Sequence, residues 1–230
     1  MILGDKPIYI ENNSIRKTKL YIVSGLGADS KVFENVSFGK NLEPIFIDWL
    51  IPKKNEILAN YIDRMAENID DNEEFYLLGY SFGGIIVQEI NRVKTAKRVI
   101  ILGSIKSHKE KSSFFRWNKF LKLYKFFPMR ILSSKKSLSF LLFSNVKNIK
   151  TEKIYSYICV RDSYYLRWSI HQILNWKGEK QNDIIQVMAD KDIVFPIKNS
   201  DPDYIIKNAS HLFPLTHSKD VSNILEKILA

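Results

Sequence analysis

Apolar positions along the chain fall into two kinds of pattern that alternate through its first half. Residues 19–23 (Lys-Leu-Tyr-Ile-Val), 44–48, 75–79 and 98–103 are short β-branched or aromatic runs with no polar alternation. Strands of that kind are covered on both faces, as in parallel sheets. Between them, residues 55–69 set Ile57, Leu58, Tyr61, Ile62, Met65, Ala66 and Ile69 at helical spacing, and residues 84–93 form a shorter, mostly apolar helical stretch. Strands alternating with helices predict βαβ units and a doubly wound, mostly parallel α/β sheet.

The alternation stops after Ser104. Residues 106–182 contain no clear strand, but repeat aromatic, Leu and Lys positions at helical spacing. Strand character returns at 184–188 and 204–206, and a closing helix over 218–229 carries Val221, Ile224, Leu225 and Ile228 on one face. The organisation expected is one α/β domain built from 1–105 and 183–230, with 106–182 inserted as a helical cap.

Charge sharpens that division. The net charge of +10 suggests a polyanion-binding protein until it is located. Residues 106–153 hold 13 Lys or Arg against two acidic residues, a local +11, while the remaining 22 basic and 23 acidic residues nearly cancel. Basicity so confined, with no recognisable nucleic-acid module, argues against nucleic acid as a partner. No apolar run reaches the roughly 18 residues of a membrane-spanning helix, and residues 1–7 lack a secretory pattern. Cys159 is the single cysteine, so an internal disulfide and a cysteine metal cage are ruled out. The expected setting is cytoplasmic.

The sharpest local signal is Gly79-Tyr80-Ser81-Phe82-Gly83-Gly84, directly after one strand and before one helix. In a chain of this composition G-x-S-x-G arises by chance about 0.03 times. A strand that turns abruptly into a helix strains the apex residue, and small residues two before and two after it remove Cβ clashes. The apex hydroxyl of Ser81 then stands above the carboxyl end of the sheet, where a helix N-terminus favours developing negative charge. A serine nucleophile needs a base and an acid to orient that base. Of the four histidines, His108 opens the insertion, His171 lies in its helical pattern and His217 begins the last helix. His211 sits in the loop between the last strand and the last helix, on the same sheet edge as Ser81. The loop after the penultimate strand offers Asp190 and Asp192. Asp192, further into the turn, is the favoured orienting acid, and Asp190 is expected to pin the turn through backbone N–H groups.

The chain order Ser81, Asp192, His211 resembles that of the α/β-hydrolase superfamily. The resemblance spans nearly the whole chain and includes the family's G-x-x-D-x-x-x-P acid turn at 189–196, with Ala189 in place of Gly. It implies an α/β-hydrolase fold and a serine esterase or thioesterase acting on a small or acyl-chain substrate without a metal or organic cofactor. It also implies that the family's helix between the acid and histidine loops is lost, because Asp192 and His211 are close in sequence. Of the early antiparallel strands only Ile8-Tyr9-Ile10 remains as a candidate. Ser24-Gly25-Leu26-Gly27 stands where the family has His-Gly, which makes the backbone N–H groups of Leu26 and Phe82 the expected oxyanion hole.

Two competing readings use other features. Gly25-Leu26-Gly27 after a strand, with Asp48 closing the next, imitates a dinucleotide-binding fingerprint, although Ser30 takes the third small position and no clean long helix follows. A non-catalytic protein of the same fold would instead bind an acidic partner or a membrane through the basic cap. Residues 114–127 interleave aromatics and cations, which fits a roof over an acyl pocket, an interfacial helix on an anionic membrane, or a docking face for an acidic carrier or CoA thioester.

Overall fold

The computed structural model describes residues 17–112, 156–179 and 183–229. Ile8-Tyr9-Ile10 and the aromatic-cationic stretch 114–127 lie outside them. Within them, β1 (Thr18–Val23), β2 (Leu42–Phe46), β3 (Phe75–Tyr80), β4 (Arg98–Leu102), β5 (Ile184–Ala189) and β6 (Tyr204–Ile206) form one sheet in the order β2-β1-β3-β4-β5-β6. Every neighbouring pair is parallel. The unbroken apolar runs are explained by the two cores. Tyr21, Val23, Leu77, Val99 and Ile101 face one core, and Leu20, Ile22, Leu78, Ile100 and Leu102 face the other. Strand residues alternate in direction, so both directions must be apolar when both faces are covered.

Helix α1 (Leu58–Ala66) and α2 (Phe82–Val93) pack on the first face together with α3 (Ser163–Asn175), which belongs to the segment between β4 and β5. The short α4 (Phe213–Thr216), the closing α5 (Ser218–Leu229) and a 3-10 turn at Ser30–Phe33 cover the second. Several boundaries differ from those expected. α1 begins three residues late, because Asn55 takes a left-handed φ of 58° and the Glu56 carboxylate accepts the Lys53 N–H at 2.7 Å, forming a turn first. β2 begins and ends two residues early, since its pairing with β1 starts at Thr18 opposite Leu42. It is an edge strand, where Pro44 lacks no needed donor. Between β5 and β6 only a 3-10 turn at Ile197–Asn199 remains, as the short interval implied.

This topology fixes where chemistry can occur. From β1 the chain moves outward to β2 and then returns across β1 to β3. Connections leaving β1 and β3 therefore part in opposite directions, opening a crevice at the carboxyl ends of those strands. Ser24–Gly27 leaves β1 there, and Ser81 leaves β3.

Candidate active site

Ser81 sits between β3 and α2 with φ 55° and ψ −119°, a conformation that non-glycine residues rarely adopt. Its neighbours permit it. A Cβ on Gly79 would collide with the Gly83 carbonyl, and a Cβ on Gly83 would collide with the Val23 and Ser24 carbonyls. The Ser81 N–H donates to the Leu102 carbonyl at 2.9 Å and its own carbonyl accepts from Gly84 N–H at 3.0 Å. The strained turn is thus held from both sides, and α2 starts at Phe82, two residues ahead of the sequence expectation.

His211 lies between β6 and α4, and its imidazole meets the serine: Nε2 is 2.9 Å from Ser81 Oγ. On the opposite side Nδ1 is 2.7 Å from Asp192 Oδ2. A carboxylate only accepts, so Nδ1 carries the proton and donates it to Asp192. Nε2 is left as the acceptor for the Ser81 hydroxyl. The second carboxylate oxygen, Asp192 Oδ1, accepts the N–H groups of Val194 at 2.8 Å and Phe195 at 2.9 Å. Those bonds compensate a carboxylate that is otherwise taken out of water. All three side chains are buried.

Asp190 occupies the pinning position. Its Oδ1 accepts the Ala209 N–H at 3.1 Å, within the loop that carries His211. The backbone N–H groups of Asn208, and after it Ala209, hold its carboxyl below the usual range. The other histidines lie elsewhere: His108 Nδ1 donates to the Gly178 carbonyl at 3.0 Å, His217 meets Thr216 Oγ1 at 2.8 Å, and His171 lies on α3 beside Gln172.

Residues without any motif or spacing signal complete the setting. Tyr80, one residue before Ser81, donates its hydroxyl to the His211 carbonyl at 2.8 Å. Burial, with the Asp192 charge adding to it, pushes that phenol far above its ordinary pKa, so it stays a donor. Trp49 stacks on Phe82, with ring centroids 5.2 Å apart and planes at 3°, and its indole N–H donates to the Gly25 carbonyl at 2.9 Å. Ser24, where the family has His, turns its hydroxyl onto the Asp29 carbonyl at 3.0 Å and closes the loop from inside. The N–H groups of Leu26 and Phe82 have no hydrogen-bond partner among the described residues. Leu26, Ser81 and His211 border one pocket, whose other walls include Val32, Tyr157, Ile158 and Leu212. The dinucleotide reading fails here: β1 is followed by the four-residue 3-10 turn at Ser30–Phe33 and not by a long helix whose N-terminus could hold a pyrophosphate.

No family model and no curated protein matches the sequence. Solved structures do resemble it. A carboxylesterase of the thaumarchaeon Nitrososphaera gargenis superposes with a TM-score of 0.67 at 13% identity, covering 94% of this chain and 90% of its own. A lipase-esterase related protein from Clostridium acetobutylicum gives 0.65 at 14%, covering 92% and 94%. An esterase from Thermogutta terrifontis gives 0.61 at 13%, covering 93% and 90%. At such identities the likeness concerns the fold, while the chemistry must be argued from the side chains present. The parallel sheet, the strained serine turn and the Ser81–His211–Asp192 relay together make this chain an α/β-hydrolase-fold protein with the geometry of a Ser-His-Asp catalytic triad.

Proposed function

We propose that the chain is a serine hydrolase cleaving carboxylic ester or thioester bonds, with Ser81 as nucleophile, His211 as base and Asp192 as the group that orients it. The observation that carries this is the relay itself, with both imidazole nitrogens engaged in the sense the reaction requires. Ser81 Oγ attacks the substrate carbonyl as its proton passes to Nε2. The carbonyl π pair moves onto oxygen, where the Leu26 and Phe82 N–H groups receive it. When the tetrahedral species collapses, Nε2 returns the proton to the departing alcohol or thiol. Water then repeats the sequence on the acyl-enzyme and releases the acid. Each oxyanion donor of this kind is worth roughly 10²–10³ in kcat.

Residues 106–182 serve in this reading as a helical cap on a core of 1–105 and 183–230. The local +11 over 106–153 favours an acyl group presented by an anionic carrier, or an ester at an anionic membrane surface. A single cysteine fits a reduced, cytoplasmic setting. Among the described residues no helix is long and apolar enough to cross a membrane.

The test is a panel of p-nitrophenyl esters and acyl-CoA thioesters, with wild type compared with Ser81→Ala. The variant should lose about 10⁶ in kcat. Near-wild-type turnover by Ser81→Ala removes Ser81 from the role. Sedimentation with anionic vesicles separates the membrane reading from the others, since the absence of salt-sensitive pelleting eliminates it.

A further inference from the structure

Residues 157–165, which precede β5, bond to the oxyanion loop and hold it. Tyr165, on α3, is completely buried, and its hydroxyl oxygen accepts the Gly27 N–H at 3.0 Å. The Gly27 carbonyl accepts three more bonds from the same segment, from Cys159 N–H at 2.8 Å, Val160 N–H at 3.0 Å and the Cys159 thiol at 3.4 Å. On the other side of Leu26, the Gly25 carbonyl accepts from Ala28 N–H at 2.9 Å and from the Trp49 indole. Both peptides flanking Leu26 are therefore fixed, while the Leu26 N–H itself stays unpaired among the described residues. Gly27 is required at this position, since its φ is +64° and a Cβ there would meet the Val160 carbonyl at 2.5 Å.

The aromatic rings join these tethers to the second donor. Tyr165 lies against Trp49 with centroids 5.8 Å apart, and Trp49 stacks on Phe82, whose N–H is the other oxyanion donor. Burial pushes the Tyr165 phenol far above its ordinary pKa, so the ring enters this packed row uncharged.

We infer that Tyr165 is a positioning residue for the oxyanion hole, so that the segment inserted between β4 and β5 is a working part of the catalytic centre as well as a cover for it. This rests on the serine-hydrolase reading above. Tyr165 is fully buried and is not among the residues that border the pocket beside Ser81. It acts through Gly27, keeping the Leu26 N–H aimed at the position that the carbonyl oxygen takes only after attack. Its loss is felt in the tetrahedral state and not in ground-state binding.

Tyr165→Phe removes the hydroxyl and keeps the ring between its neighbours. Tyr164→Phe is the matched control. The adjacent hydroxyl also ties α3 to the core, through Asn55 N–H and the Lys53 carbonyl at 3.0 Å each, but remote from the oxyanion loop. The measurements are kcat and KM on a p-nitrophenyl ester, with the inhibition constant of an alkyl trifluoromethyl ketone. That ketone adds Ser81 Oγ reversibly while the serine proton moves to His211, placing an oxyanion in the hole. For Tyr165→Phe, kcat should fall about 10- to 100-fold, with ketone affinity falling by a similar factor and KM nearly unchanged. Tyr164→Phe should match wild type in all three. If Tyr165→Phe does not fold, Trp49→Phe, which removes the indole donor to Gly25, should show the same split. Unchanged kcat and ketone affinity in folded Tyr165→Phe overturn the inference and leave the hydrolase reading standing. A rise in KM alone also overturns it, by making Tyr165 a substrate-binding or merely structural residue. Absence of Ser81-dependent turnover in wild type overturns both.

Discussion

Asp192→Asn is the substitution whose effect the site geometry determines most directly. Asp192 Oδ1 accepts two backbone N–H groups, from Val194 and Phe195. A carboxamide NH₂ cannot accept them, so the Asn oxygen must occupy that position and the NH₂ must take the place of Oδ2, 2.7 Å from His211 Nδ1. A donor then faces Nδ1, which has to become the acceptor, and the imidazole proton moves to Nε2. Nε2 now presents N–H to Ser81 Oγ and cannot take its proton. The fold should survive, because the replacement is isosteric and the two backbone bonds remain. The expected loss is about 10⁴ in kcat, the cost of the wrong tautomer in a serine triad, or about 5.5 kcal/mol of barrier at roughly 1.4 kcal/mol per decade. Steady-state p-nitrophenyl ester hydrolysis gives kcat, the rate of fluorophosphonate labelling reports Ser81 reactivity, and thermal unfolding checks the fold. Asp190→Asn should leave kcat close to wild type, since the Asp190 carboxylate bonds backbone N–H groups such as that of Ala209, while the imidazole is met by Asp192. A folded Asp192→Asn protein within about tenfold of wild type, or an equal loss in Asp190→Asn, refutes the tautomer argument.

Tyr80→Phe leaves the buried His211 carbonyl without its donor; unfolding in urea should show a loss of about 2 kcal/mol, and kcat should fall while KM holds. Gly83→Ala drives a methyl into the Val23 and Ser24 carbonyls, so the urea midpoint should drop by the equivalent of about 3 kcal/mol or the protein should fail to accumulate. Asp70 is held down to about 2 from an ordinary 3.8, first by the Lys19 ammonium and then by Asn72. A carboxylate with a depressed folded pKa contributes stability that is present above its unfolded pKa and is lost as pH falls through the folded one. Asp70→Asn should therefore flatten the loss of stability between pH 3.8 and about 2, measured by urea midpoints across that range; an unchanged slope would exclude the Lys19 pairing as its source.

Local signals sufficed for most of the architecture. Near-continuous apolar runs mark strands buried on both faces, and helical spacing marks the connections, because both patterns depend on residues within a few positions of one another. The serine turn was legible for the same reason: Gly79, Ser81 and Gly83 must be small, strained and small within five residues. His211 and Asp192 could be chosen only because a parallel α/β order sends the loops after successive strands to one edge. Boundaries were less legible. Neither the late start of α1, set by the Glu56 carboxylate on Lys53 N–H, nor the early β2, set by its register on β1, has a signature in hydrophobic period.

The tertiary structure alone decided the rest. Which of Asp190 and Asp192 meets the imidazole depends on which carboxylate is aimed at Nδ1 and which at the Ala209 N–H, a difference in direction between side chains two residues apart. Tyr80, Trp49 and Tyr165 act across separations of 131, 24 and 138 residues. A hydrogen bond to a distant backbone atom leaves no trace in the spacing of neighbouring residues, so only the folded chain shows that an apolar-looking Tyr or Trp is holding a peptide in place.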